Sequence, residues 1–228
     1  IPVSSSGHLL IFQKLLKGLD TIDYGILATI TNFGSLLAIL ILFRKKIIKL
    51  IKGFFSYIKT KEKKYYDDYK YSWYIVLATI PAGLVGLIVE KLGLFDFLEE
   101  NVKFVGLTLL ITSIFLFVIK DFKGIKESKQ ITLKDAITIG LFQVVALLPG
   151  ISRSGATIVG GMFRNLKREV AFDFSFILYI PISIATAILG IKDLLEASLT
   201  LTQYIYYGIS MTMAFIFTYI GTIWFKNI

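Results

Sequence analysis

The chain contains no cysteine, one histidine and four prolines in 228 residues. Without cysteine, it has neither disulfides nor thiolate ligands for a metal. It also lacks the alternation of apolar and polar residues over about ten positions that membrane strands show. Acidic residues number 16 against 25 basic ones, which leaves a net charge of +9. These absences exclude disulfide-stabilised and zinc-thiolate proteins, and they disfavour a membrane protein built from strands.

Apolar residues dominate the sequence. They make up 55% of it, and the mean hydropathy of +0.72 is well above that of an ordinary soluble domain. A membrane-spanning helix needs about 20 predominantly apolar residues. Long uncharged runs occur at 24–43, 72–89, 104–119, 136–152, 174–191 and 197–225. We therefore predict an all-α polytopic membrane protein, a single integral membrane domain over residues 1–228 with about five or six transmembrane helices.

The positive charge is concentrated beside these runs. Ten basic residues lie within 44–70 and five within 120–134, as expected of cytoplasmic loops under the positive-inside rule. Membrane orientation and anionic headgroups account for this charge, so we expect no nucleic-acid partner. Residues 47–58 alternate lysines with apolar residues, which is typical of an interfacial helix. The acidic residues of 96–100 predict a loop on the outer side.

One arginine lies within apolar sequence, in the segment Pro-Gly-Ile-Ser-Arg-Ser-Gly-Ala-Thr at 149–157. An arginine at the centre of a spanning helix costs roughly 2.5–3.5 kcal/mol on an insertion scale, so Arg153 needs a partner. The plain alternative is an ion pair with a buried acid such as Asp173. However, glycine lets the backbone turn sharply, and the guanidinium fork matches phosphate oxygens. An anion site at membrane depth is the better interpretation.

The topology around this segment predicts a re-entrant hairpin. Basic residues at 164, 167 and 168 follow shortly and look cytoplasmic, like the loop before residue 136. Pro149 and Gly150 cannot sustain a straight helix between them. The segment 149–157 then becomes the tip of a hairpin. Irregular backbone at that depth is tolerated only where it is buried in protein or lines a cavity.

A second tip is predicted at the start of the chain. Residues 2–10 read Pro-Val-Ser-Ser-Ser-Gly-His-Leu-Leu and share a proline, a hydroxyl cluster and a Ser-Gly pair with 149–157, one residue out of register. One copy would enter from outside and the other from inside. Inverted repeats whose broken helices meet near the midplane can build such a membrane site. We place the first repeat at about 1–119 and the second at about 133–228.

The serine cluster and the histidine are candidates for chemistry. His8 either makes one structural hydrogen bond or acts as nucleophile, general acid or base. Ser4, Ser5 and Ser6 suit a helix N-cap, and a helix N-terminus also attracts phosphate. Ser5 is a candidate nucleophile if His8 or a carboxylate accepts its proton.

Other residues in the apolar runs have simpler explanations. Asn32 and Gln143 are lone amides in apolar surroundings, and we predict interhelical hydrogen bonds for both. Gly34, Ser35 and Ala38 suit close helix packing, which predicts that the first span packs centrally.

The two tip segments together closely resemble the bacitracin-resistance family, the undecaprenyl-diphosphate phosphatases. Residues 34–38 and 174–176 also resemble family segments in the right order, so the resemblance covers essentially the whole chain. It implies inverted repeats with two re-entrant hairpins in the plasma (inner) membrane. It also implies hydrolysis of undecaprenyl diphosphate to undecaprenyl phosphate and inorganic phosphate at an outward-facing intramembrane site. That reaction would recycle the lipid carrier for cell-wall polysaccharide synthesis and confer bacitracin resistance.

The resemblance assigns roles to residues of both tips. Ser5 or His8 would be the nucleophile or the proton-transfer group, and Arg153 would clamp the diphosphate. The substrate-binding residues would be Ser4, Ser6, Gly7, Ser152, Ser154, Gly155 and Thr157. A lipid flippase or transporter using the same anion site is the alternative function.

The resemblance also implies a divalent cation, Mg²⁺ or Ca²⁺, because a cation neutralises charge on a phosphoryl group. The family places a glutamate-rich motif just before the proline that corresponds to Pro2. No metal ligand is identifiable in this sequence, and we expect those carboxylates upstream of Ile1. Both natural ends are expected to extend beyond the sequence. The expected partners are a polyprenyl diphosphate and the bilayer, with a homodimer as an open possibility.

Overall fold

The computed structural model describes residues 3–15, 23–94 and 101–227. These residues form helices connected by short turns, with one isolated bridge between Lys126 and Leu166. In chain order the helices are α1 Ser5–Leu15, α2 Tyr24–Thr60, α3 Tyr66–Lys91, α4 Val102–Ile119, α5 Leu133–Val145, α6 Arg153–Phe163, α7 Arg168–Glu196 and α8 Leu201–Asn227. The predicted acidic loop at 96–100 and the proline of the first tip, Pro2, lie outside the described residues.

Five of the described helices are long and apolar enough to cross a membrane by length and composition: α2, α3, α4, α7 and α8. The prediction of an all-α polytopic membrane protein is therefore confirmed. The apolar run at 136–152 contains no spanning helix, because it is divided between α5 and the turn before α6. Helices α5 and α6 have 13 and 11 residues, which is less than the roughly 17–25 that a span needs.

The basic segment after the first span is a continuation of α2. The sequence predicts an interfacial helix over 47–58, whereas α2 runs unbroken for 37 residues to Thr60. At about 1.5 Å per residue it extends about 55 Å, well beyond a hydrocarbon core of roughly 30 Å. No proline interrupts it, and it ends where Lys61 adopts a left-handed φ of 56° and donates its N–H to the Tyr57 carbonyl.

This extension packs against the start of α3. A Cβ added at Gly53 would lie 2.5 Å from the Cβ of Asp68. The Phe54 ring stacks on Tyr69 with centroids 5.3 Å apart and lies 6.0 Å from Trp73. The basic stretch thus belongs to a helix that packs against α3, with Leu50 in the core.

The core lies where α2, α3, α5, α6 and α7 meet. Helix α2 packs on α3, α7 and α8, so the predicted central packing of the first span is confirmed. At Gly34 an added Cβ would lie 2.4 Å from the Met211 carbonyl oxygen. The Gln143 side chain donates to the Ala78 carbonyl of α3 at 3.4 Å, which is the predicted interhelical bond.

Helices α5 and α6 form a hairpin whose open end is closed by Asp135. Its fully buried carboxylate accepts hydrogen bonds from Lys126 at 3.0 Å and from Arg164 Nε at 2.9 Å. Burial acts to raise the pKa of Asp135, but hydrogen bonds from Thr132, Lys126 and Arg164 outweigh it and lower the pKa. Since Asp135 lies in the first turn of α5 and Arg164 follows α6, the turn between the helices is at the opposite end.

Candidate functional site

Helix α6 begins at Arg153 and is capped by Ser152. The Ser152 hydroxyl accepts the Gly155 N–H at 3.2 Å and lies 3.5 Å from the Ser154 hydroxyl. This is the N-cap geometry that serine favours, since it satisfies one of the free N–H groups of the first turn. The remaining N–H groups and the helix dipole favour an anion at this end.

Helix α1 begins with the same side-chain bonds, although Ser4 has a φ of 57° where Ser152 has one of −70°. The Ser4 hydroxyl accepts the Gly7 N–H at 3.3 Å and lies 3.5 Å from the Ser6 hydroxyl. Both helices contain 11 residues. Residues 4–7 therefore correspond one to one with residues 152–155, with Ser5 in the place of Arg153. The one-residue offset between the prolines lies in the turns that precede the capping serines.

The two tips touch. A Cβ added at Gly7 would lie 2.9 Å from the Cα of Gly150 and 3.1 Å from the Leu109 side chain. Real Cβ atoms do not approach that closely, so glycine at position 7 allows the contact. Two helix N-termini thus meet through glycines far apart in the sequence, which is the convergence predicted for the two tips.

Helix α4 holds the second tip in place. The Thr108 hydroxyl lies 2.5 Å from the Pro149 carbonyl oxygen, and the Thr112 hydroxyl accepts the Ser152 N–H at 3.1 Å. Gly150 has a φ of +91° and leaves no room for a Cβ, which would lie 2.0 Å from the Thr108 hydroxyl oxygen. Sequence reasoning missed both threonines. Their spacing of four residues within an apolar run was the available signal, because it puts both on one helix face.

Thr157 is fixed to α7. Its hydroxyl lies 2.5 Å from the Ser175 hydroxyl, and Ser175 also donates to the Ser154 carbonyl at 3.4 Å. Both side chains are buried. The contact sets the register between α6 and α7, while the predicted role of Thr157 in substrate binding stays a prediction.

Arg153 has no acidic partner among the residues that the structure describes. Asp173 instead accepts from Lys46 at 2.8 Å and from Lys226 at 3.1 Å, so the alternative pairing of Arg153 with Asp173 is wrong. The Arg153 guanidinium carbon lies 5.2 Å from the centre of the Tyr179 ring. Its Nη1 is buried without a hydrogen-bond partner among the described residues. A buried, unpaired donor on a charged group is unusual in a folded protein, and an anion would accept its hydrogen bond.

The structure describes all ten predicted site residues. Ser5, Ser6 and His8 are exposed, and Arg153 and Ser154 are partly buried. The remaining five are buried: Ser4, Gly7, Ser152, Gly155 and Thr157. No hydrogen bond joins Ser5 or His8 to Arg153 within the described ranges, so the contact between the tips is made by the glycines rather than by the polar side chains.

His8 has a defined orientation. Its Nδ1 lies 2.8 Å from the Ser4 carbonyl oxygen. A carbonyl oxygen only accepts hydrogen bonds, so Nδ1 carries the proton in the neutral ring. The Nε2 atom then holds the lone pair that is available to accept a proton or to attack phosphorus.

The described residues do not form a metal site of their own. No group of three His, Asp or Glu side chains gathers among them, and the tips present hydroxyls, a histidine and an arginine instead. Divalent cations such as Mg²⁺ prefer carboxylate and carbonyl oxygens. The expected cation therefore does not fit the described residues alone.

Comparison with known proteins shows the family of this chain. The chain matches the family described as bacitracin resistance protein BacA over residues 1–228. It is 42% identical over 231 residues to undecaprenyl-diphosphatase 2 of Bacillus thuringiensis (strain Al Hakam), covering 100% of this chain and 83% of that protein. It is 41% identical over 228 residues to undecaprenyl-diphosphatase 1 of Bacillus licheniformis, covering 100% of this chain and 83% of that protein. It is 40% identical over 229 residues to the undecaprenyl-diphosphatase of Oceanobacillus iheyensis, with 100% and 82% covered. The chain belongs to the bacitracin resistance protein BacA family.

Proposed function

We propose that this protein is an undecaprenyl-diphosphatase, which hydrolyses undecaprenyl diphosphate to undecaprenyl phosphate and inorganic phosphate. The names of its relatives support this substrate. The observation that carries the proposal is the buried Nη1 of Arg153 at the N-terminus of α6, for which the described residues supply no hydrogen-bond partner. The contact between Gly7 and Gly150 brings the N-terminus of α1 to the same place.

The two tips suit the binding of a diphosphate. Two helix N-termini and one guanidinium supply positive potential and hydrogen-bond donors where the diphosphate carries its charge. Ser152 and Ser154 add hydroxyls beside Arg153, and Ser4 and Ser6 add them at the other tip. Arg153 then stabilises the charge that the terminal phosphoryl group carries during its transfer.

The exposed residues of α1 supply the reacting groups. In one route the Ser5 oxygen attacks the terminal phosphorus while His8 Nε2 accepts its proton. The bond to the bridging oxygen breaks, undecaprenyl phosphate leaves, and water then hydrolyses the phosphoserine. In the other route Nε2 of His8 is itself the nucleophile and takes the terminal phosphoryl group as undecaprenyl phosphate leaves, and water then hydrolyses the phosphohistidine. Both routes release one inorganic phosphate for each lipid.

The membrane setting belongs to the same proposal. Helices α5 and α6 are too short to span a bilayer, which supports a re-entrant hairpin, and the matching tips support inverted repeats of about 1–119 and 133–228. We place the site in the plasma (inner) membrane, open to the outer face. There the reaction would recycle the lipid carrier for cell-wall synthesis and confer resistance to bacitracin. A homodimer is part of this proposal.

A divalent cation, Mg²⁺ or Ca²⁺, is also proposed. Its support is chemical, because a cation on the phosphoryl oxygens stabilises the transfer. Since the described residues lack a carboxylate ligand set, no step above depends on it.

The experiment measures phosphate release from a polyprenyl diphosphate by the purified full-length protein. We expect Arg153→Ala to lower turnover about 100- to 1,000-fold, as loss of a preorganised donor does. Arg153→Lys should retain only part of the wild-type turnover, because lysine lacks the planar guanidinium fork. The matched control is Arg44→Ala, since Arg44 is exposed and its one hydrogen bond within the described part of the chain goes to the Ile41 carbonyl of its own helix.

Two outcomes would contradict the proposal. One is no phosphate release by the wild-type protein, and the other is an Arg153→Ala variant as active as Arg44→Ala. Binding of the lipid without phosphate release, together with lipid translocation in liposomes, would favour the flippase or transporter instead.

A further inference from the structure

The ring of Tyr179 holds Arg153 from the side of α7. The guanidinium carbon lies 5.2 Å from the ring centre. The Tyr179 hydroxyl donates to Asn32, with its oxygen 2.5 Å from Oδ1 and 3.1 Å from the carbonyl oxygen. Asn32 in turn donates from Nδ2 to the Thr186 hydroxyl at 3.1 Å. The ring is thus fixed at its hydroxyl end by α2 and faces the cation.

This arrangement differs from that of the four cations that bond to Asp135 and Asp173. Lys126 and Arg164 share the carboxylate of Asp135, and Lys46 and Lys226 share that of Asp173. A carboxylate neutralises a cation and occupies its donors. An aromatic ring attracts the cation with its face but accepts no strong hydrogen bond. Arg153 therefore keeps both its charge and its N–H groups for a ligand.

The packing of α6 on α7 explains how the ring reaches this place. Ser175 and Tyr179 are four residues apart on α7 and lie on one helix face. Ser175 contacts Thr157 and the Ser154 carbonyl, which fixes the register of the two helices. One turn further along α7, Tyr179 lies beside the first residue of α6.

We propose that Tyr179 is a positioning residue for Arg153, held in place by Asn32. It keeps the guanidinium directed at the diphosphate without neutralising it. This inference rests on the proposed function only in taking Arg153 as the phosphate-binding group. Asn32 makes the predicted interhelical bond, and its role here is to orient the ring.

The test compares three variants of the full-length protein. Tyr179→Leu removes the ring, Tyr179→Phe keeps it, and Tyr206→Leu is the matched control on the exposed face of α8. A cation–π contact away from water contributes enough to change affinity about 5- to 30-fold when it is lost. We expect Tyr179→Leu to raise KM for the polyprenyl diphosphate by that factor, with a smaller change in kcat. Tyr179→Phe keeps the ring and loses only the bond to Asn32, so its KM should stay within about threefold of wild type. The KM of Tyr206→Leu should equal that of wild type.

A second measurement separates positioning from folding. Affinity for inorganic diphosphate is measured in the wild type, Tyr179→Leu, Arg153→Gln and the double variant. If Tyr179 acts through Arg153, adding Tyr179→Leu to Arg153→Gln changes affinity no further. Independent, additive losses would overturn the proposal, as would equal losses in Tyr179→Phe and Tyr179→Leu. If Tyr179→Leu does not fold, Tyr179→Met serves as the ringless variant.

The outcomes also separate this inference from the proposed function. If the wild type hydrolyses no polyprenyl diphosphate but Tyr179→Leu still weakens diphosphate binding, the function fails and the positioning role stands. If the wild type is active, Arg153→Ala is inactive and Tyr179→Leu behaves like Tyr206→Leu, the positioning role alone is refuted.

Discussion

Replacing Gly150 with alanine should disrupt the second tip. Gly150 has a φ of +91°, and a Cβ there would lie 2.0 Å from the Thr108 hydroxyl oxygen and 2.7 Å from the Val105 carbonyl oxygen. Alanine is strained at positive φ by about 1–2 kcal/mol. Overpacking a well-packed interior costs a further 1–3 kcal/mol or so. Together the two effects predict a loss of roughly 2–5 kcal/mol.

The measurement is the apparent thermal midpoint in detergent at a fixed scan rate, combined with turnover. For a chain of this size 1 kcal/mol corresponds to about 2–4 °C, so Gly150→Ala should lower the midpoint by at least about 4 °C. Turnover should fall as well, because the turn at Gly150 carries Ser152 and Arg153. The control is Gly106→Ala on α4, where an added Cβ meets nothing within 4 Å. Alanine is favoured in a helix by roughly 0.5–1 kcal/mol, so the control should melt no lower than wild type.

The reasoning would be refuted by a Gly150→Ala variant that melts within about 1 °C of Gly106→Ala and retains wild-type turnover. That result would mean that α4 and the second tip can move apart without loss of stability or activity. A lower midpoint with unchanged turnover would contradict only the link between this turn and the position of Arg153.

Two further changes test the supports of the hairpin. Asp135→Ala leaves Lys126 and Arg164 without their carboxylate and should destabilise the protein by about 2–4 kcal/mol, somewhat less than for a fully buried pair because both cations are partly exposed. The pKa of Asp135 is lowered from its ordinary 3.8 in the folded protein, so its contribution is present above about pH 4 and is lost as the pH falls through the folded-state pKa. Thermal midpoints measured across acidic pH should therefore fall more steeply for wild type than for Asp135→Ala, and parallel curves would contradict this. Thr112→Val removes the acceptor of the buried Ser152 N–H and should cost about 1–3 kcal/mol. Thr212→Val, which removes an exposed bond within α8, is its control, and equal midpoints for the two would show that the Ser152 N–H finds another acceptor.

The spans and the tips are predictable from the sequence because they depend on local properties. Length and apolarity alone decide whether a helix can cross a bilayer, and the five long helices follow those runs. Pro149 and Gly150 separate α5 from α6 because neither residue suits a straight helix interior. The continuation of α2 through the basic segment was missed, although nothing in the sequence breaks a helix there. The lysines of this segment indicated a position at the membrane interface, but charged residues do not end a helix.

The sequence by itself determined that an arginine, hydroxyls and glycines lie beside breaks in apolar runs, since composition and spacing are local. It left open whether Arg153 pairs with Asp173, because a choice between partners depends on distances between helices. Only the tertiary structure decided that Asp173 accepts hydrogen bonds from two lysines. It also decided that Gly7 lies against Gly150 and that Tyr179 contacts the Arg153 guanidinium. These contacts join segments far apart in the chain, and they depend on the packing of α6 against α4 and of α7 against α2. No local pattern carries that information.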